Sequence, residues 1–121
     1  VLFLACNLTA DNQHLLDDAA FAAMKPGAYV INVSRGPLID EGALARALES
    51  GKLLGAGLDV FEEEPLPSSS RLRQLENCVF CTHNGSNTKE AVQRINQMTT
   101  DILFNVLGAK SPPGLQLNRV A

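Results

Sequence analysis

Residues 30–40 have the sequence Val-Ile-Asn-Val-Ser-Arg-Gly-Pro-Leu-Ile-Asp. The first part of this stretch, residues 30–33, is a short apolar run with one polar interruption, which predicts a strand covered on both faces. Arg35 follows this strand, and Gly36 and Pro37 end it. Because ligands bind at the carboxyl ends of strands in an open α/β sheet, the stretch predicts a guanidinium placed to hold a small anion.

Strand and helix patterns alternate along the rest of the chain. The predicted strands cover residues 1–5, 28–33, 53–61 and 78–81, and the predicted helices cover residues 19–24, 41–50 and 88–107. Asp17-Asp18 and Asp40 stand where N-caps of the first two helices belong. Asn87, followed three residues later by Glu90, resembles a capping box for the third. This order predicts a parallel, doubly wound sheet.

Composition indicates a soluble globular protein and argues against several classes of binding partner. The 121 residues are enough for one domain, 45% are hydrophobic, 19% are charged, and the net charge is −3. Basic residues form no run and no apolar stretch approaches the roughly 20 residues of a membrane span, so we expect neither nucleic-acid nor membrane binding. Three cysteines without a secretory signal favour free thiols in a reducing cytosol, so we expect a cytoplasmic protein. The chain opens within a strand pattern and without methionine, and we expect a fragment of a longer protein.

Charged groups follow three of the predicted strands. Arg35, the acidic cluster at residues 59–64, and His83 therefore fall at one edge of a parallel sheet. Arginine can bind a carboxylate through two hydrogen bonds, histidine is the usual acid/base, and a carboxylate beside the histidine would orient its ring. Together these groups suit reduction of a 2-keto acid by hydride from a cofactor. Each alone is more typical of a surface ion pair, a loop histidine or a solvated acidic run. Their shared edge makes the functional interpretation about as favoured, and the residues by themselves leave both interpretations open.

The sequence resembles the D-isomer-specific 2-hydroxyacid dehydrogenases over residues 1–108. The matching segments are residues 31–36, 40–44, 47–52, 57–61 and 64–65, with residues 8–9, 14–16 and 24–27 upstream. The resemblance implies a Rossmann-like parallel sheet with flanking helices, the second half of a dinucleotide-binding domain. That domain would include the return helix at 88–107, and residues 109–121 would form an extended tail toward a substrate domain.

The resemblance also implies roles for individual residues. Arg35 would bind the substrate carboxylate, His83 would be the acid/base, and Glu64 would be its carboxylate partner. Asp59 would hydrogen-bond the nicotinamide carboxamide. The full set of implied cofactor-binding residues is Cys6, Asn7, Val33, Ser34, Arg35, Asp59, His83, Asn84, Gly85 and Ser86.

Some features depart from the family pattern. Thr82 replaces the proline that commonly precedes the histidine, and Asn84 replaces the aliphatic residue that commonly follows it. The only G-x-G sequence, Gly55-Ala56-Gly57, lies in a predicted strand and lacks the third glycine of the phosphate-binding turn. We therefore expect the chain on its own to bind dinucleotide weakly and to be inactive.

The implied activity is hydride transfer between NAD or NADP and C2 of a D-2-hydroxy or 2-keto acid, with 3-phosphoglycerate or hydroxypyruvate/glyoxylate as substrate. We expect the intact enzyme to be a homodimer. The alternative is a non-catalytic member that senses dinucleotide or acts like a corepressor. No metal site is predicted, because Cys78 and Cys81 would face opposite sides of a strand.

Overall fold

The structure, a computed structural model, describes residues 1–108 and divides the chain into two compact units, Val1–Asn84 and a second that begins at Gly85. The first unit holds a parallel sheet in the order β1-β2-β3-β4. Its strands are β1 (Leu2–Leu4), β2 (Ala28–Asn32), β3 (Leu53–Leu58) and β4 (Cys78–Phe80). The predicted parallel α/β sheet is confirmed. The extended tail predicted at residues 109–121 lies outside the described residues.

Two helices build the core on one face of this sheet. Helix α1 (Asp18–Ala23) packs against α2 (Glu41–Glu49), which in turn packs against β3. The predicted N-caps are confirmed: the carboxylate of Asp17 accepts from Ala20 N at 2.8 Å, and that of Asp40 accepts from Ala43 N at 2.9 Å. The buried side chains between helices and sheet include Leu4, Phe21, Val30, Leu44, Leu48, Leu53 and Leu58.

The opposite face of the sheet is open. Side chains alternate along a strand, so the neighbours of the core residues point away from the helices. Phe3 is 55% exposed and Val79 is 69% exposed, and they stand in one row across the sheet with Ile31 and Gly57. A doubly wound sheet carries helices on both faces, so half of such a domain would leave one apolar face uncovered.

The predicted third strand is too long. Strand β3 ends at Leu58 and not at Phe61. Asp59 N still donates to Asn32 O at 2.9 Å, but Phe61 N donates to a carboxylate oxygen of Glu64 at 3.0 Å. A side chain thus replaces the neighbouring strand as hydrogen-bond partner, and the chain turns. Three 3₁₀ turns, at Ala10–Asn12, Gly36–Leu38 and Arg71–Gln74, connect the main elements.

The second unit contains helix α3 (Lys89–Val106). The predicted Asn87 cap is wrong: Thr88 is the N-cap, and its hydroxyl accepts from Ala91 N at 3.1 Å. A threonine hydroxyl accepts from the amide three residues ahead as well as an asparagine side chain does. Thr88, the residue after Asn87, therefore serves as the cap. The apolar stripe of this helix includes Ile95, Met98, Ile102 and Val106, all exposed. Among residues 1–108, no helix combines the length and hydropathy needed to cross a membrane.

Gly36 marks the tightest contact between two loops of the first unit. A Cβ atom at this position would lie 1.9 Å from both the carbonyl carbon and the oxygen of Phe61. The backbone after β2 therefore rests directly on the backbone after β3, and only glycine leaves room for this.

Replacing Gly36 with alanine should destabilise the fold by at least about 2 kcal/mol, because the obstacle is backbone that cannot move aside as a side chain would. Urea denaturation followed by circular dichroism measures the change. Gly57→Ala is the matched control, since a Cβ there meets only Ile31 at 3.9 Å. Equal stability of the two variants would contradict the contact.

Candidate active site

The parallel order of the strands brings the predicted functional groups to one edge of the sheet. Arg35 follows β2, Asp59 follows β3, and His83 follows β4, and these three strands are neighbours. Cys81 N donates to Leu58 O at 2.8 Å, which keeps β4 aligned with β3 up to this edge. The three strand ends therefore lie along one edge of the sheet.

Asn32 shapes the turn that presents Arg35, a role that the sequence analysis missed. Its side chain is buried, its Nδ2 donates to Arg35 O at 2.9 Å, and its Oδ1 accepts from Ser34 N at 3.0 Å. A buried amide that lost these bonds would cost about 1–3 kcal/mol, so the turn is strongly determined. The available signal was a polar residue inside a buried apolar run.

A shallow pocket of about 380 Å³ lies at the Arg35 turn, lined by Asn7, Leu8, Ser34 and Arg35. The Ser34 hydroxyl donates to Cys6 O, which ties the end of β2 to the segment after β1. Arg35 is exposed and donates from Nη1 to Ser34 O at 2.6 Å. Cys6, Asn7, Ser34 and Arg35, predicted to contact the cofactor, are thus neighbours, while Val33 is exposed at the end of β2.

Asp59 connects the ends of β3 and β4. It is 6% exposed, and its Oδ1 accepts from Asn84 N at 3.0 Å. The contact uses the backbone of Asn84, which any residue other than proline supplies. The departure from the family pattern at Asn84 therefore leaves this bond intact.

Glu64 and His83 form a directly bonded pair. His83 Nδ1 lies 2.7 Å from Glu64 Oε2, and Glu64 Oε1 accepts from Phe61 N at 3.0 Å. The hydrogen bond with His83 is the main reason that the pKa of Glu64 lies below its ordinary value of 4.5. A charged carboxylate at Nδ1 fixes the ring and leaves Nε2 to exchange a proton. His83 has a φ of 56°, a left-handed conformation that is uncommon outside glycine and is found where backbone aims a functional side chain.

The Glu64–His83 pair borders a pocket of the first unit. The pocket has a volume of about 480 Å³ and a mostly apolar wall that includes Phe61, Leu66 and Phe80. Phe61 and Phe80 meet edge to face, with ring centroids 5.8 Å apart. Thr82, the other departure from the family pattern, lies in this wall beside the histidine. An apolar wall next to an acid/base pair limits water around a reacting carbonyl.

Acidic residues outside the pair also have defined partners. Glu62 N donates to Glu41 Oε1 at 2.7 Å, and Glu41 N donates to Glu62 Oε1 at 2.9 Å. Burial raises the pKa of Glu41. His14 Nε2 lies 3.4 Å from Glu62 Oε1. The run at residues 62–64 is therefore more than a solvated acidic stretch.

Cys78 and Cys81 lie in different environments. Burial raises the pKa of the Cys78 thiol to about 11, and Cys81 lies beyond the end of β4. Across the described part of the chain, no three His, Cys, Asp or Glu side chains are grouped to hold a metal ion. Gly85 and Ser86 belong to the second unit, and their nicotinamide contacts stay a prediction.

Parallel strands whose carboxyl ends carry the polar groups are the architecture of a Rossmann-like dinucleotide-binding domain. Residues 1–85 match the profile of the NAD-binding domain of D-isomer specific 2-hydroxyacid dehydrogenases. The chain belongs to that family, as the sequence resemblance implied.

Individual relatives agree with the profile. The chain is 47% identical over 103 residues to glyoxylate/hydroxypyruvate reductase B of Citrobacter koseri and 43% identical over 108 residues to glyoxylate reductase of Thermofilum pendens. These matches cover 85% and 89% of this chain but 32% of each relative, so the chain spans about a third of their length. D-mandelate dehydrogenase of Rhodotorula graminis, in its holo form, superposes with a TM-score of 0.75 at 40% identity, over 84% of this chain and 30% of that one.

The Glu64–His83 bond predicts a specific titration. Since the lowered pKa of Glu64 arises mainly from His83, the Glu64 carboxylate should titrate below 4.5 in the wild type and move upward in His83→Ala. The stabilisation that this bond supplies should be present above the ordinary glutamate pKa and lost as the pH falls through the lowered value. Carbon-13 NMR of the side-chain carboxyl measures both variants. Thr82→Ala, beside the histidine, serves as control, and an unchanged Glu64 titration in His83→Ala would contradict the pairing.

Proposed function

We propose that this chain supplies the catalytic edge of an NAD- or NADP-dependent D-2-hydroxyacid dehydrogenase that reduces glyoxylate or hydroxypyruvate. The observation that carries the proposal is the bonded pair of Glu64 and His83 on the same sheet edge as Arg35. The glyoxylate and hydroxypyruvate reductases at 43–47% identity support the choice of substrate over 3-phosphoglycerate. We also propose that the enzyme works as a homodimer in the cytoplasm.

Arg35 binds the substrate carboxylate in this proposal. Its guanidinium is exposed at the end of β2, and a planar fork of donors matches a carboxylate in two parallel hydrogen bonds. The turn held by Asn32 sets where the guanidinium stands. Holding the carboxylate places the adjacent keto carbon at the edge where the other two strands end.

His83 moves the proton. Its Nδ1 is occupied by Glu64, so Nε2 donates a proton to the carbonyl oxygen during reduction and accepts one during oxidation. The negative charge of Glu64 stabilises the imidazolium before it gives up its proton. The Phe61 amide holds Glu64 in place at the other oxygen.

The residues around the Arg35 turn fit a dinucleotide. Asn7 and Ser34 offer polar groups beside the open pocket, and Asp59 is a buried acceptor at the neighbouring strand end. When bound, NADH or NADPH supplies the hydride. Together with Cys6, Val33 and Asn84, these residues form the proposed cofactor surface of the first unit. The cofactor contacts of Gly85 and Ser86 stay predictions, and residues 1–108 are the proposed second half of the dinucleotide-binding domain.

Kinetics of the full-length protein test the two catalytic assignments. Arg35→Ala should raise KM for glyoxylate by about 10- to 100-fold, the effect of losing a charge-assisted pair of hydrogen bonds. His83→Ala should lower kcat by about 10²- to 10⁴-fold, the contribution of a general acid. Arg46→Ala is the control, because this arginine pairs with Asp18 at the start of α1.

Near-normal kinetics in both variants would contradict these assignments. Absence of turnover by the wild type with glyoxylate, hydroxypyruvate and either reduced cofactor would favour the non-catalytic alternative, a member that senses dinucleotide or acts like a corepressor.

Calorimetry with NADH tests the cofactor half of the proposal. The 121-residue chain contains no G-x-G-x-x-G turn to cradle a pyrophosphate. Its affinity for NADH should therefore be weak, at a Kd of about 1 mM or above, and Asp59→Ala should weaken it further. Micromolar binding by the chain alone would contradict the assignment of phosphate binding to another segment.

A further inference from the structure

The turn that carries Arg35 is enclosed by two other segments of the first unit. On one side, His14 N donates to Pro37 O at 2.8 Å. On the other, the Phe61–Glu62 peptide touches Gly36 so closely that a Cβ would lie 1.9 Å from the Phe61 carbonyl. The position of Arg35 therefore depends on how these two segments are held relative to each other.

Glu62 connects the two enclosing segments. Its Oε1 lies 3.4 Å from His14 Nε2 and also accepts from Glu41 N at 2.9 Å. Its backbone N–H donates to Glu41 Oε1 at 2.7 Å, so the same residue is anchored to the start of α2 at two points. We call His14, Glu41 and Glu62 the clasp. It surrounds the Arg35 turn, and the hydrogen bonds that fold the turn itself come from Asn32 and Ser34.

We propose that Glu62 is a positioning residue that acts through Arg35. Without its carboxylate, the segments at His14 and at Phe61–Glu62 lose their link across the turn. The turn keeps its internal bonds, so the fold survives while the guanidinium shifts. The inference rests on the proposed function, because it needs Arg35 to bind the substrate carboxylate.

The expected kinetic signature is a change in KM for the keto acid. The substrate carboxylate is bound both in the ground state and in the transition state. A displaced Arg35 weakens binding equally in both states, which raises KM and leaves kcat unchanged. Glu64 keeps its own bonds to His83 and to the Phe61 amide, so proton transfer is preserved.

Steady-state kinetics with glyoxylate and NADH on the full-length protein provide the test. Glu62→Ala should raise KM for glyoxylate by about tenfold, with kcat within about threefold. Glu62→Gln keeps an oxygen for the Glu41 amide but loses the charge opposite His14, and should give an intermediate KM. Glu63→Ala is the matched control, since this neighbouring acid is exposed and has no hydrogen bond or ion pair within residues 1–108.

The double variant Arg35→Ala/Glu62→Ala separates positioning from a general structural effect. If Glu62 acts through Arg35, the second substitution should add nothing to the KM of Arg35→Ala. Additive effects, or a fall in kcat at unchanged KM, would overturn the proposal. Where Glu62→Ala yields no folded enzyme, Glu62→Gln decides in the same way: a raised KM supports the clasp and a wild-type KM overturns it.

The same experiment distinguishes a failure of the Glu62 proposal from a failure of the proposed role of Arg35. A raised KM in Arg35→Ala together with a wild-type KM in Glu62→Ala refutes the clasp alone. A wild-type KM in Arg35→Ala refutes the proposed role of Arg35 and the clasp with it.

Discussion

The backbone contact between Gly36 and the Phe61–Glu62 peptide is the constraint on which the candidate site depends. It presses the loop after β2 onto the loop after β3, with no side chain between them. Arg35 stands one residue before this contact, and Glu64 follows it by two residues. Because the contact is between main-chain atoms, it fixes the separation of the two loops more rigidly than side-chain packing could. Arg35 and the Glu64–His83 pair are thereby set on one frame.

Carboxylates that accept from backbone amides maintain that frame. Glu64 accepts from Phe61 N, Glu41 accepts from Glu62 N, and Asp59 accepts from Asn84 N. Each such bond joins a charged acceptor to a neutral donor, and these bonds are stronger than neutral ones. Loops after β3 and β4 lack a strand partner, and acidic side chains take the place of the sheet's hydrogen bonds. Acidic residues therefore cluster here for local folding as well as for the pairing with His83.

The sequence predicted the strands and the helix starts, which depend on residue types close together in the chain. Apolar runs predicted all four strands, and Asp17 and Asp40 predicted where α1 and α2 begin, because these signals act within a few residues. The end of β3 was misplaced, since hydrophobicity continues through Val60 and Phe61 after the hydrogen-bonding partner has changed from a strand to Glu64. The cap of α3 was assigned to Asn87 because Asn87 and Thr88 both suit that position and only backbone geometry selects between them.

Apart from the Glu64–His83 contact, which the family resemblance implied, contacts between residues far apart in the chain could not be predicted. His14, Glu41 and Glu62 come from three separate segments, and nothing in the spacing of the residues indicates that they meet. Asn32 shows the same limit at short range. Its polarity within a buried strand was visible, but its bonds to Ser34 and Arg35 depend on the turn that those bonds create. The pattern of residue types therefore predicts which residues follow each strand. It does not predict which of those residues contact one another in the folded chain.

The division of roles within the chain bears on substrate choice. In the proposed function, the groups at this edge bind features that all 2-keto acids share: a carboxylate for Arg35 and a carbonyl oxygen for His83. Relatives of this chain that superpose on it or align with it include a D-mandelate dehydrogenase and glyoxylate and hydroxypyruvate reductases, whose named substrates differ in the substituent on the keto carbon. An edge with this proposed role would serve all of them without change. Discrimination between substrates then falls to groups that contact the substituent, and within the first unit the apolar wall formed by Phe61, Leu66 and Phe80 beside His83 is where such contact can begin. In the proposed function, the clasp and the Glu64–His83 pair are accordingly parts of a general 2-keto acid site, and specificity is added around them.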